Sequence, residues 1–399
     1  MATTKVIPGV LDLNATGADK GLKMPSGTEL NRPTDATGQI RNNTNETSES
    51  SASCQEYYNG TEWKKINNSA LPLPTFDFNA VLYTGTGSSN SITGVGFKPD
   101  FVVIKNRDQT DDWAWFDSTR GANFISSNNT ATQTSFTFTF DADGFTVPPS
   151  SGMTNGSGIN YIAYCGIAQA GTTSTNTNGS LTSTVQASTG LSIVKWTGLA
   201  GTDSTVGHGL GATPELIIAK KISGSAQDWY VYTKYANSGT SPANYFLKLN
   251  DGAGETLNTG SPPSIWAGTE PTSTVFSVGS TLQESADYIA YCFTPITGSM
   301  AMGYYTGNGS STGPTISTGF QPDFLLVHRL DTGDGWRVLD SVRSTSNPRN
   351  DYLDVNLNAA EASSVFSNVD FNSTNFQLKT LGSTYNNSGG RYMYLAIKF

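Results

Sequence analysis

Charged side chains are scarce in this chain, and those present do not form a basic surface. They make up 14% of the 399 residues, and 32 acidic residues against 23 Lys and Arg give a formal net charge of −9. Nucleic-acid binding depends on clustered Lys and Arg that neutralise phosphates. The sequence therefore predicts no nucleic-acid partner.

Histidine and cysteine, the commonest side chains of metal and redox sites, are nearly absent. Neither His208 nor His328 has a partner at metal or triad spacing, so both are predicted to be structural. Cys165 and Cys292 end the same Tyr-Ile-Ala-Tyr-Cys stretch and are expected to be small buried hydrophobes rather than a disulfide. No phosphate-binding glycine loop and no nucleophile elbow is found. We expect no metal and no cofactor.

Long apolar runs and long amphipathic helical stretches are also missing. No window has the length of a membrane-spanning helix, and the first residues lack the apolar core of a signal peptide. We therefore expect neither membrane insertion nor secretion. The chain is instead rich in Gly (42 residues), Ser, Thr and Asn, with 36% hydrophobic residues, which is typical of all-β proteins with short strands and polar turns.

One module of the sequence occurs three times, with a period of about 110 residues that is domain-sized. Its landmarks are an aromatic-Thr-Gly signature (Tyr83, Trp196, Tyr305), a proline (Pro99, Pro214, Pro322) and a tryptophan (Trp113, Trp229, Trp336). The repetition predicts three tandem β-sandwiches of jelly-roll or lectin-like type, copy 1 (76–170), copy 2 (190–298) and copy 3 (299–399). Each copy is expected to have its own core, like beads on a string.

Two polar stretches interrupt the copies. Residues 170–189 are rich in Thr, Ser and Asn, and a flexible linker is favoured there over a polar edge strand. Residues 250–270 are rich in Gly and Pro and are expected to form an inserted surface loop. Within each copy an apolar run such as Phe101-Val-Val-Ile-Lys105 predicts a central sandwich strand.

A glycan-cleaving enzyme would need a pair of carboxylates. Asp117 and Asp340 share an Asp-Ser-x-Arg context with Arg120 and Arg343, and this repetition favours a structural salt bridge or turn cap over catalysis. A calcium loop at residues 141–144 is disfavoured because the downstream Glu is missing. We therefore predict no catalytic residue among the candidates Asp111, Asp112, Asp117, Asp141, Asp143, Asp334 and Asp340.

Aromatic side chains are the remaining candidates for ligand contact. The tryptophan that occurs in every copy could stack on sugars, but a hydrophobic landmark shared by all copies is more typical of a core. Aromatics that the copies do not share are better candidates for exposed contacts. The predicted ligand-binding residues are Trp115, Tyr230, Trp266 and Tyr304.

Residues 1–75 differ in composition from the copies, and their scarcity of apolar residues predicts an extended segment or one that orders against a partner. Tyr57 and Tyr58 precede Asn59-Gly60, a strong turn signal, and Trp63 follows, so a hairpin is predicted. An isolated hairpin is marginal in water. We therefore expect it to pack on a partner, most economically another chain.

The order G-L-K-M-P-S-G-T, R-P, G-x-I-R and Y-Y-N-G-T-E-W in this segment resembles a short N-terminal module of tailed-phage virion proteins. The three copies resemble a β-domain of tail-fibre-like and capsid-surface proteins of marine phages, with Y-T-G-N-G, G-F-x-P-D-F and D-S-x-R-G as its signature. The resemblance implies virion attachment through residues 1–75. The residues that it assigns to this role are Leu22, Met24, Ile40, Tyr57, Tyr58 and Trp63.

From this resemblance we expect a non-enzymatic virion surface protein, made in the host cytoplasm and assembled as a homotrimer with other tail or capsid proteins. The first hypothesis is a tail fibre or adhesin that contacts a host-surface glycan. The alternatives are a capsid-decorating or tail-connecting protein without a ligand and, third, a polysaccharide depolymerase.

Overall fold

The computed structural model describes residues 76–149, 152–169, 171–201, 203–260 and 262–399, together with the backbone of four short strands before them. It divides into two units, Met1–Pro72 and Leu73–Phe399. Among the described residues the only α-helix is α1, Ser383–Asn386, and the rest of the regular structure is β-strand with a few 3-10 turns. The predicted all-β class is confirmed.

The first unit contains a four-stranded sheet, in the order β1-β2-β3-β4. Its strands are β1 (Ser26–Gly27), β2 (Ile40–Asn43), β3 (Cys54–Tyr58) and β4 (Trp63–Ile66). Strands β3 and β4 pair antiparallel with Tyr58 opposite Trp63, so the predicted hairpin is confirmed. The Asn59-Gly60 turn and the proposed attachment residues Leu22 and Met24 lie outside the described residues. The attachment role of Ile40, Tyr57, Tyr58 and Trp63, which lie on these strands, stays a prediction.

The second unit repeats one strand pattern three times. Copy 1 contains β5 (Phe78–Thr84), β6 (Asn90–Thr93), β7 (Phe101–Asn106), β8 (Ala114–Asp117), β9 (Gly121–Ile125), β10 (Thr134–Ser135), β11 (Thr139–Asp141), β12 (Gly144–Val147) and β13 (Asn160–Gly166). Copy 2 contains β16 (Leu191–Thr197), β17 (Ser204–Gly207), β18 (Leu216–Lys221), β19 (Tyr230–Thr233), β20 (Tyr245–Lys248), β21 (Thr256–Leu257), β22 (Val275–Val278) and β23 (Asp287–Phe293). Two further strands, β14 (Ser174–Asn176) and β15 (Ser183–Ala187), lie before residue 190 and join its large sheet. Copy 3 contains β24 (Met300–Thr306), β25 (Thr315–Ser317), β26 (Phe324–Arg329), β27 (Arg337–Asp340), β28 (Asp351–Asp354), β29 (Ala362–Ser363), β30 (Val369–Asn372), β31 (Asn375–Leu378) and β32 (Arg391–Ile397).

Each copy folds as a large antiparallel sheet with a small sheet against it. The large sheets run β10-β9-β8-β7-β13-β5, β14-β15-β16-β23-β18-β19-β20-β21 and β24-β32-β26-β27-β28-β29. The small sheets run β11-β12-β6, β17-β22 and β25-β31-β30. In all three copies the closing strand inserts between the first strand and the apolar central strand. This common topology is the structural counterpart of the sequence repeat.

The central strand of each copy begins with four consecutive apolar residues, and both of its faces are buried. In β7, Val102 and Ile104 point to an outer core between the two sheets of copy 1. Phe101 and Val103, on the opposite face, join a different cluster. Successive side chains of a strand alternate between faces, so one apolar run contributes to two cores.

The second cluster is common to all three copies and is called the shared core. It contains side chains from each large sheet, among them Phe78, Phe101, Trp113, Leu216, Trp229, Leu326, Trp336 and Leu395. Residues 73–399 accordingly form one compact unit. Each copy has the core of its own that was predicted. The expectation of beads on a string is wrong, because each copy also buries one face of its large sheet against the other two copies. The sequence boundaries of the copies stay a prediction.

The repeated tryptophans close the three copies into a ring, and their predicted place in the core is confirmed. The indole N–H of Trp113 in copy 1 donates to the carbonyl oxygen of Asp354 in copy 3 at 3.0 Å. Trp229 in copy 2 donates to Ser126 of copy 1 at 2.9 Å. Trp336 in copy 3 donates to Lys248 of copy 2 at 2.9 Å, which completes the cycle.

The two polar stretches differ in part from what the sequence predicts. Strands β14 and β15 lie within residues 170–189 and extend the large sheet of copy 2, so the polar edge strand is right and the flexible linker is wrong. Residues 250–270 are not only a surface loop, because Ile265 and Trp266 pack into the outer core of copy 2.

Replacing Trp229 with Phe should destabilise the ring more than the same change at Trp115. Both side chains are buried in the shared core, but the Trp115 indole N–H has no partner in the described part of the chain. Trp229→Phe leaves the Ser126 carbonyl unpaired, and an unpaired buried acceptor costs about 1–3 kcal/mol. Equilibrium urea unfolding of both variants measures the difference. Equal losses of unfolding free energy would contradict the role assigned to the indole bond.

Candidate functional site

The Asp-Ser-x-Arg motifs form two buried ion pairs, as predicted. The Arg120 Nε donates to Asp117 Oδ2 at 2.5 Å, and the Arg343 Nε donates to Asp340 Oδ2 at the same distance. All four side chains are inaccessible to solvent. Each carboxylate also accepts the backbone N–H of its own arginine, at 2.8 Å. The motif is thus both a salt bridge and a turn cap.

Each pair is completed by a tyrosine from another copy. The Tyr291 hydroxyl of copy 2 donates to Asp117 at 2.7 Å, and the Tyr164 hydroxyl of copy 1 donates to Asp340 at 2.7 Å. Burial opposes the charge of Arg120, but the Asp117 carboxylate outweighs this effect, so the pKa of Arg120 is raised. Burial raises the pKa of Tyr291 well above 10. Arg120 therefore stays charged and Tyr291 neutral, and the two side chains join copies 1 and 2 through Asp117.

The junction between copies 2 and 3 lacks all three members of this arrangement. The β-sheet register places Thr233 where the other copies have aspartate, because Leu216 pairs with Thr233 as Phe101 pairs with Asp117. The tyrosine position is held by Leu395, opposite Leu326. Ala236 stands at the arginine position. The joint absence of the Asp, the Arg and the Tyr has a physical reason, because keeping any one of them without the others would leave a buried polar group unpaired.

A second cycle of contacts, missed at the level of sequence, uses the residue that follows each apolar run. Lys105 donates from Nζ to the Asn358 carbonyl of copy 3 at 3.1 Å, and Lys220 donates to the Thr130 carbonyl of copy 1 at 3.1 Å. His328 takes this position in copy 3, and its Nε2 lies 3.2 Å from the Ala253 carbonyl of copy 2. The sequence did carry a signal for these contacts, because a Lys or His directly follows the apolar run in all three copies.

Burial sets the charge of these groups. It lowers the pKa of Lys105 and of Lys220 to about 8 in each case. The pKa of His328 falls to about 4, mainly through burial, and that of His208 does the same. His208 bridges the Thr272 carbonyl and the Leu210 amide. Both histidines have the structural role predicted for them.

The other candidate carboxylates also accept hydrogen bonds from neighbouring groups instead of facing one another. Within the described ranges, no three His, Cys, Asp or Glu side chains could share a metal ion. Asp111 accepts from Asn106, Asp112 from Asn128 and Asn129, Asp141 from Thr146, Asp143 from Gly94 and Gly96, and Asp334 from Gly335. Cys165 and Cys292 are buried free thiols, as expected.

Two of the four predicted ligand-binding aromatics are not available to a ligand. Trp115 is 6% exposed and packs on Trp229 with ring centroids 5.2 Å apart, while Trp266 is 2% exposed. Side chains of copy 2 cover Trp115, and an isolated sandwich would not provide this cover. Tyr230 is half-buried against Phe246. Only Tyr304, at 45% exposure, presents a largely open ring.

The shared core encloses a cavity of about 60 Å³. It is lined only by apolar and aromatic side chains from all three copies, among them Phe78, Trp115, Ile218, Phe293, Phe324 and Leu395. A cavity without polar groups offers water no hydrogen bonds and stays dry. It contains no group that could perform acid, base or nucleophilic chemistry.

The fold and these contacts define an all-β protein in which three copies of one sandwich close around a common core. Residues 74–398 match a family described as a domain of unknown function, DUF7483, and the chain belongs to that family. The match spans the three copies together, as the compact unit does. No curated protein and no solved structure matches the chain. Among the described residues no helix is long and apolar enough to cross a membrane.

Neutralising Asp117 should destabilise the protein strongly, because the buried Arg120 guanidinium would lose its counter-charge. Asp117→Asn is expected to cost about 3–5 kcal/mol, the usual effect of breaking a buried pair. The double variant Asp117→Asn, Arg120→Met removes the stranded charge at similar volume and should recover part of this loss. Denaturant unfolding of both variants measures it. A double variant as unstable as the single one would argue against a charge effect.

Acid should destabilise the ring through its histidines. The folded-state pKa of His328 is about 4, below its ordinary value of 6.5, so the unfolded chain takes up the proton first. Its contribution is therefore complete above pH 6.5 and is lost as pH falls towards 4, by about 2 kcal/mol near pH 4.5. His328→Lys, which installs the residue of the other copies, should give a shallower decline of unfolding free energy between pH 6.5 and 4.5. Identical slopes would contradict this assignment.

Proposed function

We propose that this chain is a non-enzymatic structural protein of a virus particle. Residues 1–75 would attach it to the particle, and the three-copy body would be displayed at the surface as part of a tail fibre or adhesin. The proposal rests on the resemblance of both parts to tailed-phage virion proteins. The location, the homotrimer and the host contact are all parts of this proposal.

The observation that supports a structural role best is the use made of the recurring polar residues. The motif with the highest density of potentially reactive side chains, Asp-Ser-x-Arg, is buried between copies and bonded to Tyr164 or Tyr291 of another copy. Arg107 and Glu361 add a two-bond ion pair between copies 1 and 3, at 2.9 and 2.7 Å. The shared signature thus serves ring closure, and any specificity is left to residues that do not recur.

A ring closed on itself suits a protein displayed outside a particle. Removing one copy from such a body exposes the shared core, so the body resists partial opening better than three independent domains. The inter-copy bonds also hold the loops of different copies in fixed relative positions. A rigid platform of this kind favours contact through surface loops.

A capsid-decorating or tail-connecting role without a ligand is the second candidate. The burial of Trp115 and Trp266 favours it, because it removes two of the four aromatics expected to meet a ligand. The depolymerase alternative has no comparable support, since the candidate carboxylates hold amides, hydroxyls and arginines.

Deleting residues 1–72 should leave a folded body that no longer joins the particle. The deletion ends where the compact unit begins, so the body keeps all of its inter-copy contacts. Full-length and shortened chains would be supplied in trans during assembly, and purified particles would be analysed by immunogold labelling and mass spectrometry.

The full-length Leu82→Ala variant is the control, since it changes an exposed position of the body but not the attachment segment. The proposed attachment role requires that this variant joins the particle and that the shortened chain does not. If the shortened chain is incorporated equally well, residues 1–75 are not the attachment segment. If the full-length chain is absent from particles, the virion role itself is wrong.

A further inference from the structure

The junction between copies 2 and 3 differs from the other two junctions at its outer rim. Tyr304 of β24 and Tyr235 of copy 2 lie with ring centroids 6.1 Å apart and planes inclined by 42°. The sheet register places Leu82 and Lys195 at the position of Tyr304 in the other copies. Thr119 and Val342 stand at the position of Tyr235. Only this junction therefore combines two aromatic rings at these positions.

The Tyr304 ring is held in place while much of it faces solvent. Its strand is the edge strand of the large sheet of copy 3, with Tyr304 paired to Met393 of the shared core. The Tyr235 hydroxyl lies 2.9 Å from the Met302 carbonyl, two residues before Tyr304 on the same strand face. The rings are thus positioned by the fold before any ligand arrives. Preorganisation of this kind reduces the entropic cost of binding.

Polar groups lie close to Tyr235 along the chain and in its hydrogen-bond network. Lys234 is largely exposed and donates to Glu215 Oε1 at 2.8 Å, which leaves further ammonium protons for a ligand. Arg391, the first residue of β32, donates to the exposed Ser238 hydroxyl of the neighbouring turn at 3.2 Å and also bonds to Glu255. The rim therefore combines aromatic faces with hydrogen-bonding groups.

The charges at the rim are already paired, which selects the class of ligand. Glu215 accepts from both Lys234 and the Tyr235 hydroxyl, so it has no unpaired charge to attract a cation. Arg391 is bonded to Glu255, so it does not offer a free cation to an anion. A neutral ligand with an apolar face and many hydroxyl groups fits this balance. A hexopyranose has both properties.

The backbone beside the rings has an unusual conformation. Asn237, Ser238 and Ser241 adopt left-handed φ angles of 48°, 56° and 47°, which side chains other than glycine rarely adopt. The Glu255 carboxylate accepts the Asn237 N–H at 2.7 Å and thereby helps to hold this turn against copy 3. Backbone held in such regions is found preferentially at functional sites.

We propose that the rim between copies 2 and 3, formed by Tyr304, Tyr235, Lys234 and Ser238, binds a neutral hexopyranose unit of a glycan, with Tyr304 as the stacking surface. The sugar would place its C–H face on the ring and its hydroxyls against Lys234 and Ser238. That the natural ligand is a glycan of the host surface rests on the proposed function. The binding of a hexopyranose rests only on the residues of the rim.

The test uses the full-length chain and an array of neutral glycosides, followed by titration calorimetry and saturation-transfer NMR with those that respond. At least one neutral hexopyranoside should bind. Tyr304→Leu, which installs the residue of copy 1, should weaken binding roughly tenfold or more, whereas Tyr304→Phe should keep most of it because the stacking face remains. Leu82→Ala, at the equivalent position of copy 1, should bind like the unchanged chain.

Several results would overturn this site. They are a complete lack of binding to neutral glycosides, equal binding by Tyr304→Leu, or binding confined to charged sugars or to choline, a quaternary ammonium probe. Since Tyr304 is exposed, its variants should keep the unfolding midpoint of the parent chain, so lost binding is not lost folding. A chain that joins particles but binds no glycoside contradicts this site alone, whereas a chain that binds glycosides but is absent from particles contradicts the virion role alone.

Discussion

Each of the three repeated tryptophans is buried and donates its indole N–H to a backbone carbonyl of another copy, always near the end of the equivalent strand. A buried indole usually finds a hydrogen-bond partner, and for these three tryptophans the partner lies in another copy. The shared core lies between all three copies, the buried Asp-Arg-Tyr groups lie at two of the three junctions, and both depend on the same closure. The ring is therefore the unit of stability, and the single sandwich is a unit of topology.

Much of this could be predicted from the sequence, for local reasons. The all-β class follows from turn-rich composition, and the Asp117–Arg120 pair follows from a short spacing within one motif. The shared core could not be predicted in the same way, because it depends on contacts between segments far apart in sequence. One signal was present. The apolar run at Phe101 alternates between two faces, and a small sheet can cover only one of them.

The prediction for Trp115 was wrong for a structural reason. Trp115 was expected to be exposed because the copies do not share it, but Trp229 and Tyr291 of copy 2 cover it. A repeat that closes into a ring need not be symmetric in its core, since each interface can be filled by different side chains. Absence from the other copies is therefore weak evidence of exposure. For Tyr304, absence from the other copies indicates function only because its aromatic ring is also open to solvent and lies beside Tyr235.

Closure of the ring should make residues 73–399 unfold as one cooperative body. Differential scanning calorimetry of the full-length chain measures this cooperativity, because independent domains melt separately and a single unit melts in one step. One transition is expected for the body, with equal calorimetric and van't Hoff enthalpies for that transition. Two or three separable transitions for the body, or a calorimetric enthalpy several times the van't Hoff value, would show that the copies fold independently and would contradict the closed ring.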